Sequence, residues 1–206
     1  MTEPGTIRFA TVDDAPAIAA IYEPIVRHTA ISFEIEPPSS GEMSSRIAKV
    51  QAFAPWLVCT SEPEVVGYAY ATKHRERAAY QWSVEVSAYV RDGCRGSGIG
   101  AALYTSLFEL LRLQGFCNAY AGITLPNPAS VALHSRLGFT TIGVFGKIGF
   151  KAGAWHDVLW MHREVAPRDA DPEAPTPLPV LLERVDCGPA LEKGLSLLRG
   201  RSAGRS

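Results

Sequence analysis

With 206 residues, 47% of them apolar and 20% charged, the chain suits one globular domain with a full core. A formal net charge of -1 gives no electrostatic ground for nucleic acid or an anionic membrane as partner, and no apolar run approaches bilayer-spanning length. The cysteines Cys59, Cys94, Cys117 and Cys187 lack metal-ligand or disulfide-framework spacing, which fits a reducing cytoplasm, and the acidic start Met1–Thr6 lacks the basic-then-apolar run of a secretory signal.

Ile7 to Ala10 read as a short strand. Thr11, Asp13 and Asp14 then offer capping oxygens before Ile18, Ile21, Tyr22 and Ile25, which recur at helical spacing; Pro16 is tolerated in the first turn. From Thr29 to Pro38 there is no helical period, and the prolines restrict the stretch to loop or edge strand. Within it Phe33 is either a pocket wall or, as the pattern alone favours, an apolar plug between helices. A second helix begins near Ser39, where Ser39-x-x-Glu42 resembles a capping box. Trp56 to Thr60 and Val65 to Tyr70, joined by Ser61-Glu62-Pro63-Glu64, read as an antiparallel hairpin. The basic run Lys73-His74-Arg75-Glu76-Arg77 is either a solvated connection or a clamp for a substrate carboxylate.

The centre of the chain is a strand, a glycine-rich turn and a helix. From Tyr80 to Val90 the residues alternate, with Trp82, Val84, Val86, Ala88 and Val90 on one face and Glu85 carried mid-strand on the polar face. Arg95-Gly96-Ser97-Gly98-Ile99-Gly100 follows Arg91-Asp92-Gly93-Cys94 and opens a helix with Ile99, Leu103, Leu107, Leu110 and Leu111 at helical spacing. Glycines let successive N–H groups face one point, and the helix start attracts an anion. Ala101-Ala102 after the last glycine excludes a Walker A loop. Gly96, Gly98 and Ala101 formally meet the dinucleotide pattern, but the next strand ends in Thr124-Leu125-Pro126-Asn127 without the carboxylate that would hold a ribose.

Phe116 to Ile123 then read as a strand, Ala129 to Leu137 as a helix, and Phe139 to Val144 and Trp155 to His162 as two last strands linked by a connection through Gly146, Gly149 and Gly153. The domain is expected over residues 1–165. Residues 166–206 are expected to be a proline-rich linker and a poorly ordered tail, with one or two short helical pieces between Leu178 and Leu198 and disordered composition from Arg199 to Ser206.

Arg95-x-x-Gly98-x-Gly100 between strand and helix, followed by Asn127-Pro128-Ala129-Ser130, Leu133-His134 and Gly138-Phe139, resembles the GNAT superfamily of acyl-CoA-dependent N-acetyltransferases. Ala79-Tyr80-x-Trp82-x-Val84-Glu85 and Gly153-x-Trp155-His156-Asp157-Val158 are similar to its phosphinothricin and methionine sulfoximine N-acetyltransferase branch. The likeness covers about Ile7 to Glu164. It implies an α/β GNAT fold: a central, mixed, mostly antiparallel twisted sheet of about seven strands flanked by about four helices. It also implies acetyl-CoA as cosubstrate, a small amino-acid-like substrate acetylated on its α-amino group, and a homodimer.

Carried onto this sequence, the resemblance places acetyl-CoA on Val86, Ser87, Ala88, Tyr89 and Val90 by strand-like pairing, on Arg95, Gly96, Ser97, Gly98, Ile99 and Gly100 at the pyrophosphate, and on Asn127 and Ser130. It places the acceptor on Phe33, Arg75, Arg77 and Tyr80, with Glu85 as general base and His134 as donor of a proton to the thiolate. Arg75 stands where some members have lysine, and Glu76 between the arginines weakens the field there. The residues themselves support Glu85: a protonated amine must lose a proton before attack, and a carboxylate beside the cradle can take it; the bland reading is a solvated or salt-bridged strand glutamate. His134 can donate near neutral pH, although a lone helical histidine is often structural. His156 and Asp157, adjacent on a strand, point to opposite faces and form no dyad. Two rival readings are a non-catalytic acyl-CoA-binding module on the same fold and acetylation of a peptide or protein amine. No metal site is expected.

Overall fold

Seven strands, Thr6–Phe9 (β1), Trp56–Ser61 (β2), Glu64–Lys73 (β3), Ser83–Val90 (β4), Asn118–Thr124 (β5), Thr140–Lys151 (β6) and Ala154–Glu164 (β7), form one sheet in the order β1-β2-β3-β4-β5-β7-β6. Only β4 and β5 run parallel; the other pairings are antiparallel. The helices are Ala15–His28 (α1), Ser40–Gln51 (α2), Ile99–Gln114 (α3), Pro128–Arg136 (α4), Leu178–Arg184 (α5) and Gly188–Ala203 (α6). The computed structural model describes residues 5–203, with side chains to residue 198. No described helix is long and apolar enough to cross a membrane.

At β2 and the middle of β3 both sheet faces are covered, so these strands are rich in apolar residues on either side. Leu57, Ala69, Val84 and Val86 pack with Leu103, Leu107 and Leu110 of α3 in the larger core. Trp56, Val58 and Tyr68 pack with Ile18, Tyr22, Met43 and Ile47 of α1 and α2 in the smaller one. Helix starts follow local chemistry. The Ser39 hydroxyl accepts from Glu42 N at 3.2 Å while the Glu42 carboxylate accepts from Ser39 N at 2.7 Å, the reciprocal capping box that stabilises α2. At β1 the Arg8 guanidinium forks onto Asp14 at 2.7 Å on both oxygens and holds that carboxyl below its usual range.

Three expectations are corrected. Tyr80 and Trp82 lie outside the central strand: Ala78–Tyr80 is a 3-10 turn and β4 begins at Ser83. Because β3 ends at Lys73, opposite Val84, earlier residues have no ladder partner on that side. The stretch through Gly146 and Gly149 is strand rather than loop, with register shifts inside β6; edge strands accommodate such bulges. The turn itself is Ala152-Gly153, both at positive φ.

The third correction is the tail. Leu178, Leu181, Cys187, Ala190 and Leu195 are buried in the larger core. Gln114 Nε2 donates to Thr176 O, and Ser106 Oγ donates to Leu191 O. Proline-rich composition misled because the chain between β7 and α5 is anchored by side chains distant in sequence, such as Trp82, whose Nε1 donates to Glu173 O at 2.8 Å. The backbone is helical through Ala203; of the stretch expected to be disordered, residues 204–206 lie outside the described residues.

Candidate active site

The site begins where two parallel strands part. Pairing of β4 with β5 runs from Ser83↔Asn118 to Glu85↔Tyr120 and stops there, while β4 stays paired with β3 up to Val90. Beyond Glu85 the β5-facing amides of β4 therefore lack a strand partner, leaving a cleft that can accept an extended ligand as added strand pairing. A cavity of ≈ 60 Å³ occupies this cleft, lined by Val86, Ser87, Ala88, Tyr89, Asn127, Ser130 and His134 among others. Val90 lies further out, packed against the larger core.

At the outer end of the cleft is the glycine loop. Gly93, Gly96 and Gly98 have φ of 84°, 77° and 98°, a left-handed region in which other residues are strained. This turns the loop into the start of α3, whose first bonded amide is Ala102 N on Gly98 O at 3.0 Å. The N–H groups of Ile99, Gly100 and Ala101 precede it, free of the helix ladder and aligned with its positive end. Ser97 Oγ donates to Cys94 O at 2.5 Å, closing the loop, and Arg95 lies 3.0 Å from Asp92, exposed at its rim. Gly100 is needed for a second reason. A Cβ there would stand 3.2 Å from Leu133 Cδ2, so the glycine lets α4 approach α3.

Asn127 caps α4, its Oδ1 accepting from Ser130 N at 3.1 Å. One turn on, His134 is buried. Its Nδ1 lies 2.8 Å from Ser130 O and its Nε2 lies 3.2 Å from the Tyr104 hydroxyl. A carbonyl can only accept, so Nδ1 carries the hydrogen and the neutral ring accepts from Tyr104 at Nε2. Burial pushes the His134 pKa down.

A larger cavity of ≈ 480 Å³ adjoins the cleft, lined by Phe33, Tyr70, Thr72, Glu85, Phe145 and Trp160 among others, and sharing Ile31, Val86, Ser87, Gly122 and Thr124 with it. Glu85 thus stands on the wall of a chamber that opens onto the parted strands. Phe33 is on that wall, half-exposed, rather than a plug between helices. The loop bearing it is fastened by Lys151, whose buried Nζ donates to Val26 O and Ser32 O at 2.7 Å each. Glycine at position 149 leaves room for the Phe33 ring, which a Cβ would meet at 2.2 Å.

Arg75, Arg77 and Tyr80 stand outside this lining. Arg75 is exposed, 3.9 Å from Glu85 Oε1; Arg77 is exposed at the start of the 3-10 turn; Tyr80 is exposed and meets His74 edge-on at 5.9 Å. The sequence reading overlooked His74, whose Nδ1 is 3.0 Å from Glu85 Oε1, together with Tyr70, Tyr104 and Trp160. The signal that marks His74 is strand register, which appears only once β3 pairs with β4. His74 follows Thr72, the partner of Glu85, by two residues, and so shares its face. His156 and Asp157 serve the hairpin: His156 Nε2 donates to Lys151 O at 3.0 Å, and Asp157 Oδ1 accepts from Lys147 N at 2.7 Å. Among the described residues no cluster of His, Cys, Asp or Glu could hold a metal ion.

The acetyltransferase (GNAT) domain family matches residues 7–160. The chain belongs to the GNAT acetyltransferase family. It is 38% identical to a phosphinothricin N-acetyltransferase from Streptomyces viridochromogenes, over 78% of this chain and 88% of that protein. It is 36% identical to an L-methionine sulfoximine/L-methionine sulfone acetyltransferase from Pseudomonas aeruginosa, over 81% of this chain and 98% of that one. The crystal structure of a GNAT superfamily phosphinothricin acetyltransferase from Sinorhizobium meliloti in complex with AcCoA superposes with a TM-score of 0.79 at 36% identity, covering 86% of this chain and 98% of that chain. This GNAT protein is an acetyl-CoA-dependent N-acetyltransferase. The parted strands and the open amides at the start of α3 are chemically suited to that cosubstrate: the first to its amide-bearing arm, the second to its phosphates.

Proposed function

We propose that this enzyme acetylates the α-amino group of a small amino-acid-like acceptor, of the phosphinothricin or methionine sulfoximine type, with Glu85 as general base. The observation that carries this reading is the position of Glu85 on the wall of the ≈ 480 Å³ chamber, one residue before the Val86-Ser87 backbone that the chamber shares with the cleft. The names of the relatives support the acceptor class.

Acetyl-CoA supplies an acyl group already activated as a thioester. The chain's work is to free the amine and hold the carbonyl. Glu85 takes the proton that keeps an ammonium group from attacking, a contribution of about 10²–10⁴-fold by the usual range; the nitrogen then bonds the acyl carbon as the carbon–sulfur bond breaks, and the departing thiolate takes, through water, the second proton that the nitrogen sheds. Open amides of the Val86–Val90 stretch offer fixed dipoles to the developing oxyanion. Loop amides from Gly96 to Gly100, with Ser97 and Arg95, hold the pyrophosphate, while Asn127 and Ser130 border the arm. Arg75 and Arg77 act from the rim as electrostatic attractants for the acceptor carboxylate, and Phe33 and Tyr80 bound the acceptor side. His134, neutral and accepting from Tyr104, orients that hydroxyl in the cleft wall; its N–H is committed to Ser130 O, so we assign it no proton donation.

We infer a homodimer as well. Ile142, Val144, Phe145, Ile148 and Phe150 of edge strand β6 and Trp155 of β7 are all at least half-exposed, a run of apolar side chains on a sheet edge of the kind that marks a contact surface. The four unpaired cysteines support a cytoplasmic setting.

The test of function is thiol release from acetyl-CoA with phosphinothricin, methionine sulfoximine, free amino acids and a peptide amine. Turnover on the first two, with none on the peptide, is expected; turnover on the peptide alone would replace the proposal with peptide acetylation.

A further inference from the structure

We infer that His74 is a positioning residue for Glu85: it holds one carboxylate oxygen so that the other is presented to the acceptor amine. This rests on the reading of Glu85 as base.

The two side chains meet because of strand register. Thr72 lies opposite Glu85 in the β3–β4 ladder, so His74 is the diagonal neighbour on the same face. His74 Nδ1 is 3.0 Å from Glu85 Oε1. An ionised carboxylate only accepts, so Nδ1 carries the hydrogen, whether the ring is neutral or charged. With Nδ1–H fixed in this way the histidine orients the carboxylate and is no acceptor for its proton.

The ring is held on three sides. It stacks on Tyr120 of β5 at 4.6 Å and 19°, meets Tyr80 edge-on at 5.9 Å and meets Trp160 of β7 edge-on at 6.2 Å. Its backbone N–H reaches Ser83 O at 3.4 Å. The His74 side chain is 16% exposed and that of Glu85 33%, so the donor is the more enclosed partner. Arg75 approaches the same oxygen, Oε1, at 3.9 Å. Oε2 has no partner among the described residues, and Glu85 lines the chamber.

A contrast within the molecule shows what the single donor achieves. Arg46 forks onto both oxygens of Glu34 at 2.7 and 2.9 Å and leaves both oxygens occupied. One N–H on one oxygen fixes the rotamer of Glu85 and leaves a lone-pair set open. A base must be held in productive geometry without being fully paired, and a misplacement of about 1 Å can cost about 10²-fold.

The test is steady-state thiol release by the full chain with its best acceptor. His74→Phe keeps a flat ring on Tyr120 and removes the donor; His74→Asn loses the stack but places an amide N–H close to the position of Nδ1. His74→Phe should lower kcat about 10- to 100-fold with KM for acetyl-CoA unchanged, and His74→Asn should recover most of the loss. In a Glu85→Gln background, His74→Phe should cost nothing further, since residues acting as one unit are not additive. Normal kcat in His74→Phe beside an impaired Glu85→Gln would overturn the positioning role alone. Equal loss in His74→Phe and His74→Asn would also overturn it, because packing rather than the hydrogen bond would then matter. Normal kcat in Glu85→Gln would overturn the base reading and this inference together.

Discussion

His134 Nε2 lies 3.2 Å from the Tyr104 hydroxyl, and with Nδ1–H committed to Ser130 O the neutral ring accepts there. Desolvation by burial, opposed only by the bond to Ser130, moves its pKa below the ordinary value. A lowered pKa means that the unfolded chain binds the proton more readily. The stability held in this site is therefore complete above the unfolded value of about 6.5 and is lost as pH falls through the folded pKa. Melting temperatures measured from pH 7.5 downward should fall less steeply for His134→Asn than for the wild type; parallel curves would remove His134 as a source of acid sensitivity.

Substituting Glu85 by Gln preserves shape and removes the basic oxygen. Turnover at neutral pH should drop about 10²–10⁴-fold and recover in part at high pH, where the amine is already neutral. A pH–rate profile read with saturating acetyl-CoA decides this. A profile and rate like those of the wild type would return Glu85 to the status of a surface strand residue.

Gly98→Ala forces a side chain into a residue at φ 98°, at a cost of about 1–2 kcal/mol, and tilts the first amides of α3 away from a common point. KM for acetyl-CoA should rise while the acceptor KM stays near its original value. An unchanged KM for acetyl-CoA would mean that these amides do not carry the phosphates.

Helix α6 lies against α3 so closely that a Cβ on Gly194 would stand 2.2 Å from Ala102 O, a backbone atom that cannot yield. Gly194→Val should therefore lift α6 and destabilise the protein by about 1–3 kcal/mol, read as a fall in denaturant midpoint. The same midpoint in both proteins would show that α6 contributes little to the fold.

Charging the exposed apolar edge tests the assembly. Ile148→Glu or Phe150→Glu would set like charges against each other across a symmetric interface and desolvate them. Sedimentation should shift from dimer to monomer, and a wild-type protein that sediments as monomer would end the homodimer proposal.

Local chemistry was legible in the sequence. The Ser39–Glu42 cap, the β2–β3 hairpin, the glycine loop opening α3 and the alternation that carries Glu85 each depend on residues within a few positions of one another, so spacing alone encodes them. The boundary at Ser83 was not legible, because it depends on where β3 ends. Nor was the packing of residues 166–198, whose prolines look like a linker until Trp82, Gln114 and Ser106 supply partners for their carbonyls. The chamber itself is a property of the sheet. Glu85 faces it because β4 parts from β5 at that residue, and His74 reaches Glu85 because antiparallel register sets the two on one face. Periodicity tells which face a side chain takes within its own strand; which neighbour shares that face is decided only when the strands pair.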